Sequence, residues 1–156
     1  MNTQAIEVIE TEVVLEEAMS LNHSRLIGRL NVLLAIYEEQ YDILPELEFE
    51  LSTGRLKPDV AIMPRQVYNW EKDIIRYPSP PTTAIEILSP TQSLDFLITK
   101  IREFYFPAGV QSAWLIAPAV KSVYFFLPEQ PVKVYGSGTL VDPVIKFELS
   151  LEALFK

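Results

Sequence analysis

The chain reads as a single α/β domain with a mixed central β-sheet flanked by helices. Three features of the sequence predict this. A helical stripe runs from about residue 22 to 40. Two short runs, 57–63 and 83–88, are apolar on both faces. A second helical stripe follows, and then further strand-like runs at 112–117 and 121–127.

Taken in order, residues 1–20 alternate acids and apolar residues, with Glu7, Glu10, Glu12, Glu16 and Glu17 between Ile6, Val8, Ile9, Val13, Val14 and Leu15, and read as an N-terminal arm. The domain proper is expected over 21–156. Leu26, Leu30, Leu33, Leu34 and Tyr37 fall at i, i+4, i+7, i+8 and i+11, one face of a helix. Asn22 or Ser24 is the expected cap. Leu47, Phe49 and Leu51 alternate with Glu46, Glu48 and Glu50, the pattern of a half-buried strand. Ser52-Thr53-Gly54-Arg55 reads as the turn of a hairpin whose second strand is 57–63. Residues 65–82, rich in Pro, Asp and Asn, form a long loop, which in a compact domain usually carries function. The run 83–88 is a central strand. Ser89-Pro90 predicts a helix start, with Leu94, Leu97, Ile98, Ile101, Phe104 and Tyr105 on the helix and its end near Ala108-Gly109. Residues 132–135 add a strand, Gly136-Ser137-Gly138 a turn, and Ser150-Leu151-Glu152 the start of a short final helix.

Composition narrows the function. Apolar residues make up 49% of the 156, ample for a core, and the surplus over what so small a domain can bury predicts a homodimer. The absence of cysteine excludes disulfides and zinc–thiolate sites and fits a reducing compartment. Met1-Asn2-Thr3-Gln4-Ala5 shows neither a basic leader region nor an apolar one, and no apolar run reaches the length of a membrane span. A cytoplasmic protein without membrane contact is expected. The net charge of −8 argues against a broad nucleic-acid-binding surface, though not against a local basic groove. Arg25, Arg29, Lys57, Arg65, Lys72 and Arg76 are the candidates for a rim near the long loop.

Two acids stand out because carboxylates are rarely buried unless paired or bound to metal. Asp59 opens the first apolar run and Glu86 interrupts the second. Side chains two apart on a strand share a face, so Asp59 has Ala61 beside it and Glu86 has Ala84, which predicts room for an ion and its waters. Mg²⁺ is commonly held by one or two carboxylates and keeps several waters.

Lys57-Pro58-Asp59-Val60-Ala61, Glu86-Ile87-Leu88-Ser89-Pro90-Thr91, and Ala108-Gly109-Val110 followed by Trp114-Leu115-Ile116 resemble the bacterial Uma-type family of the PD-(D/E)XK nuclease superfamily. The resemblance runs from about residue 23 to 127 and implies a restriction-endonuclease-like fold. It also implies a metal-dependent endonuclease acting on DNA, with Asp59 and Glu86 as ligands of Mg²⁺ or Mn²⁺. The superfamily lysine is expected two residues after the second acid, but that slot holds Leu88. In the Uma-type family the lysine comes from the following helix, and Lys100 matches it, with the local spacing shifted by about one residue. Lys100 is then the group that orients water or phosphate, its stem expected between Leu97 and Phe104. His23 matches a family histidine and is an auxiliary candidate.

Each residue also has a plainer reading. Asp59 after a proline suits a turn, Lys100 a solvated helix surface, and His23 a helix start. Glu86 suits a structural ion pair with Lys100 or Arg102. The rival function is a catalytically inactive domain of the same fold serving as a binding or assembly module.

Overall fold

The computed structural model describes residues 19–156. The arm expected at 1–20 lies, for residues 1–18, outside the described residues. The sheet has six strands in the order β1-β4-β5-β6-β7-β8. These are β1 Tyr41–Pro45, β4 Val60–Pro64, β5 Thr83–Ile87, β6 Ser112–Ala117, β7 Ser122–Phe126 and β8 Lys133–Tyr135. All neighbours are antiparallel except β5 and β6, which run parallel. The mixed sheet flanked by helices is the architecture expected from the sequence. Every residue of β5 is buried, as a central strand requires.

Two layers cover the sheet. On one face, helix α1 (Leu21–Leu34) buries Leu26, Leu30 and Leu34 against Val60, Ile62, Ile85 and Ile87. The same cluster takes in the hairpin of β9 (Thr139–Asp142) and β10 (Phe147–Ser150) and the short helix α3 (Leu151–Leu154). On the other face, helix α2 (Leu94–Thr99) and a π-helical segment (Lys100–Tyr105) bury Leu97, Ile101 and Tyr105 against Ala84, Ala113 and Leu115. A small hairpin of β2 (Phe49–Leu51) and β3 (Gly54–Leu56) caps β4 through Phe49, which is buried with Ala61 and Met63.

Several boundaries differ from the expectation, each for a local reason. Helix α1 is capped by Ser20, whose hydroxyl accepts from the His23 amide, rather than by Asn22 or Ser24. It passes into a 3₁₀ turn at Ala35–Tyr37. The second helix starts at Leu94 because Ser93 caps it through the Phe96 amide; Ser89 instead bonds Thr91 and the Gln92 side chain. The turn after β2 is tighter than expected, with Leu51 paired to Gly54, whose φ of +137° favours glycine. The strand 57–63 therefore does not pair with β2. The strand that forms there, β4, lies between β1 and β5. The loop 65–82 is present and lacks helix or ladder structure apart from one bridge, Phe49 to Tyr77.

Candidate functional site

The pairing of β4 with β5 sets the site. Val60 stands opposite Ile85 and Ala61 opposite Ala84. The next step in that register puts Asp59 opposite Glu86, on the face that alternates with Ile85 and Ile87. Directly opposed residues of an antiparallel pair sit about 5 Å apart at Cβ. Ala61 and Ala84 do not leave the expected space. Both are fully buried, Ala61 beneath Phe49 and Ala84 in the cluster of Leu97, Ile101 and Tyr105. The Asp59 side chain keeps 20% of its surface exposed, whereas that of Glu86 keeps 3%.

All four residues singled out from the sequence meet here. The Lys100 ammonium lies 2.8 Å from Oε1 of Glu86. Nε2 of His23 lies 3.1 Å from Oδ1 of Asp59. The amide of Ile87 donates to Oδ2 of Asp59 at 2.6 Å, which ties the first acid to the strand of the second. Lys100 is not a solvated helix residue, since its side chain is only 19% exposed. Phe104, expected to flank its stem, is 39% exposed, while Tyr105 is fully buried and its ring centroid lies 5.5 Å from the Lys100 ammonium. Arg102 plays no part in the site. It donates to the carbonyls of Leu127 and Gln130.

Tyr105 is the member that sequence reasoning missed. Its hydroxyl donates to the same Oε1 that Lys100 approaches. An aromatic on the helical stripe reads as core, and Tyr105 is indeed fully buried. The one available signal was its hydroxyl, which needs a partner once buried. No described residue donates to Oε2 of Glu86.

The electrostatics follow from burial. Burial pushes the Glu86 carboxyl up to about 7; Lys100 pulls it back and the charge of Asp59 adds to the rise. The hydrogen bond to Asp59 raises the His23 imidazole above its ordinary value against the cost of burial, and the charges of Asp59 and Glu86 add to it. Burial, then the Glu86 charge, pushes the Tyr105 phenol well up. Two carboxylates here face one permanent cation, so the cluster is short of positive charge. That deficit, with oxygen donors only partly used, suits a divalent cation in donor chemistry. Among the described residues no group of three or more His, Asp or Glu side chains is gathered in a metal-binding arrangement. An ion here would complete its shell with water.

A family model described as "Uma2: Putative restriction endonuclease" matches residues 2–153. The chain belongs to the Uma2 family. The fold has a solved counterpart in a crystal structure of a "putative nuclease belonging to DUF820" from Anabaena variabilis ATCC 29413. The two chains are 24% identical, with a TM-score of 0.72 over 88% of this chain and 82% of the other. No curated protein matches the sequence. Within this Uma2 chain, two members of the basic rim expected near the long loop face acids. Arg65 lies 3.8 Å from Asp42 and Arg76 3.4 Å from Glu48, while Arg25 and Arg29 donate to the backbone of Lys156 and Ala153 on the other side of α1. Among the described residues no helix is long and apolar enough to cross a membrane.

Proposed function

We propose that this Uma2 chain is a metal-dependent endonuclease that hydrolyses phosphodiester bonds in DNA. The observation that supports it is the convergence of Lys100 and Tyr105 on one oxygen of Glu86, with Asp59 opposite and no donor to Oε2 among the described residues. A purely structural ion pair needs no second carboxylate beside it and gains nothing from an open oxygen. In this reading Asp59 and Glu86 hold one Mg²⁺ or Mn²⁺, which supplies the Lewis acidity that phosphodiester hydrolysis requires. Lys100 has three N–H donors and commits one to Glu86, so two remain to orient the attacking water or a phosphate oxygen. His23 holds its proton at Nε2 against Oδ1 of Asp59 and fixes the carboxylate's orientation. The reading takes residues 21–156 as the catalytic domain of a cytoplasmic homodimer. The exposed Val67, Trp70 and Ile75 on the long loop are consistent with a covered surface.

The test is nicking of supercoiled plasmid with Mg²⁺ or Mn²⁺. Wild type cuts, and Asp59→Ala and Glu86→Ala do not; activity surviving Glu86→Ala sinks the assignment. The rival reading, an inactive binding or assembly module, draws on two observations. The His23 ring already occupies Oδ1 of Asp59, and the chain carries a net charge of −8. It predicts no cleavage with either metal and no Mn²⁺ heat in calorimetry.

A further inference from the structure

Lys100 and Tyr105 are five residues apart. On an α-helix with 3.6 residues per turn, positions five apart point about 140° away from each other. Both nevertheless reach Oε1 of Glu86. The segment that carries them, Lys100–Tyr105, is π-helical, and the wider turn is marked by the bond from the Phe106 amide to the Ile101 carbonyl at 3.1 Å. A single π turn absorbs one extra residue in an α-helix, and such turns collect at functional sites. The segment ends at Phe106, and Gly109 closes the turn that follows with φ at +110°, where a Cβ would also lie 3.1 Å from Pro80.

We propose that Tyr105 is a positioning residue for Glu86 and that the π turn exists to put it there. The proposal rests on the endonuclease reading and extends it. A carboxylate oxygen has two lone pairs. Lys100 and Tyr105 occupy both on Oε1, so Oε1 is saturated and only Oε2 remains for a ligand. The terminal torsion of a glutamate is broad and two-fold, so little else holds the carboxylate plane. Lysine alone does not select an oxygen, because a rotating ammonium follows either one. The rigid phenol does, since its ring is locked in the cluster of Leu97, Ile101 and Ala84. Tyr105 touches neither substrate nor reacting atoms. It acts through Glu86, as the outer partners of metal ligands do.

The test is Tyr105→Phe, which keeps the buried ring and removes only the hydroxyl. Mn²⁺ calorimetry and plasmid nicking are run on wild type, Tyr105→Phe and Asp59→Ala, with a thermal melt to show that each is folded. The expected result is a loss of about 10–100-fold in Mn²⁺ affinity or kcat for Tyr105→Phe, the range for outer partners of metal ligands, with KM for DNA unchanged. Wild-type affinity and kcat in Tyr105→Phe overturn the proposal while leaving the endonuclease reading standing. The positioning itself is read without metal, from crystal structures of wild type and Tyr105→Phe. A Glu86 carboxylate that rotates or splits in the variant supports it even where wild type neither binds Mn²⁺ nor cuts, the result that removes the endonuclease reading instead. A carboxylate that stays single and unmoved overturns it.

Discussion

Among the described residues two carboxylates are buried, and they are treated in opposite ways. Asp142 is fully buried at the end of β9. Its Oδ2 accepts from the Ser112 hydroxyl at 2.7 Å and the Trp114 indole at 2.9 Å, and its Oδ1 from the amides of Val144 and Ile145. Every donor is neutral and both oxygens are used. The result is a pin that fastens the β9–β10 hairpin to β6. Glu86, 2% exposed in the middle of the sheet, has a cation and a phenol on one oxygen and no described donor on the other. A carboxylate whose lone pairs are all filled by the fold has nothing left to bind. One that is buried, half-satisfied and beside a second acid is held ready for something outside the chain.

The sharpest way to break this comparison is to neutralise Glu86 without changing its shape. Glu86→Gln is expected to abolish plasmid nicking and the Mn²⁺ binding heat while the fold survives. A Glu86→Gln protein that still cuts places the chemistry elsewhere. Asp142→Ala should do the reverse. It orphans four donors, and with each costing about 1–3 kcal/mol the loss of stability in urea unfolding should be on the order of 4 kcal/mol. A loss below about 1 kcal/mol would show that the pin is dispensable.

The next effect concerns pH in metal-free protein. Burial pushes the folded Glu86 carboxyl up to about 7 against 4.5 for an ordinary one. The native state therefore holds an extra proton between those values. The stability that this group contributes is complete below 4.5 and lost as pH rises through 7. The difference corresponds to about 3 kcal/mol. The gain in melting temperature of Glu86→Gln over wild type should thus grow from pH 5 to 7 and level off above. A gain that stays constant across that range contradicts the assignment.

The smallest effect is the most direct to observe, because the chain has a single histidine. In an NMR titration His23 should lose its proton above the ordinary imidazole range, and Asp59→Ala should move that midpoint down. The His23–Asp59 attraction is present below the unfolded value and fades as pH passes the raised one. An unmoved midpoint in Asp59→Ala would mean that the 3.1 Å contact does not hold in solution.

Much of this was legible beforehand, for reasons that differ by residue. Leu26, Leu30 and Leu34 announced α1 because a helix that packs on a sheet must repeat its apolar face. Glu86 stood out because it interrupts the apolar run of Ala84, Ile85, Ile87 and Leu88. The strands β1, β9 and β10 did not stand out. Tyr41–Pro45 is five residues ending in proline, and the β9–β10 hairpin alternates over only four residues on each side, too short for a periodic signal. The hairpin expected between 47–51 and 57–63 failed because the turn at Ser52-Thr53 closes on β3 first. Asp142 drew no notice, since an aspartate at a strand end reads as a turn residue until Ser112 and Trp114 are seen beneath it.

Local chemistry in the sequence was enough to mark Asp59 and Glu86 and to set a mixed α/β architecture, because burial patterns and misplaced charges are written in neighbouring residues; Lys100 and His23 were marked by the resemblance to the Uma-type family. The tertiary structure alone decided which strands pair, that the space beside Ala61 and Ala84 is filled, and that Tyr105 turns onto Glu86. Those outcomes depend on strand register and on a π turn. Both are settled by packing between segments far apart in the chain, where no local pattern reaches.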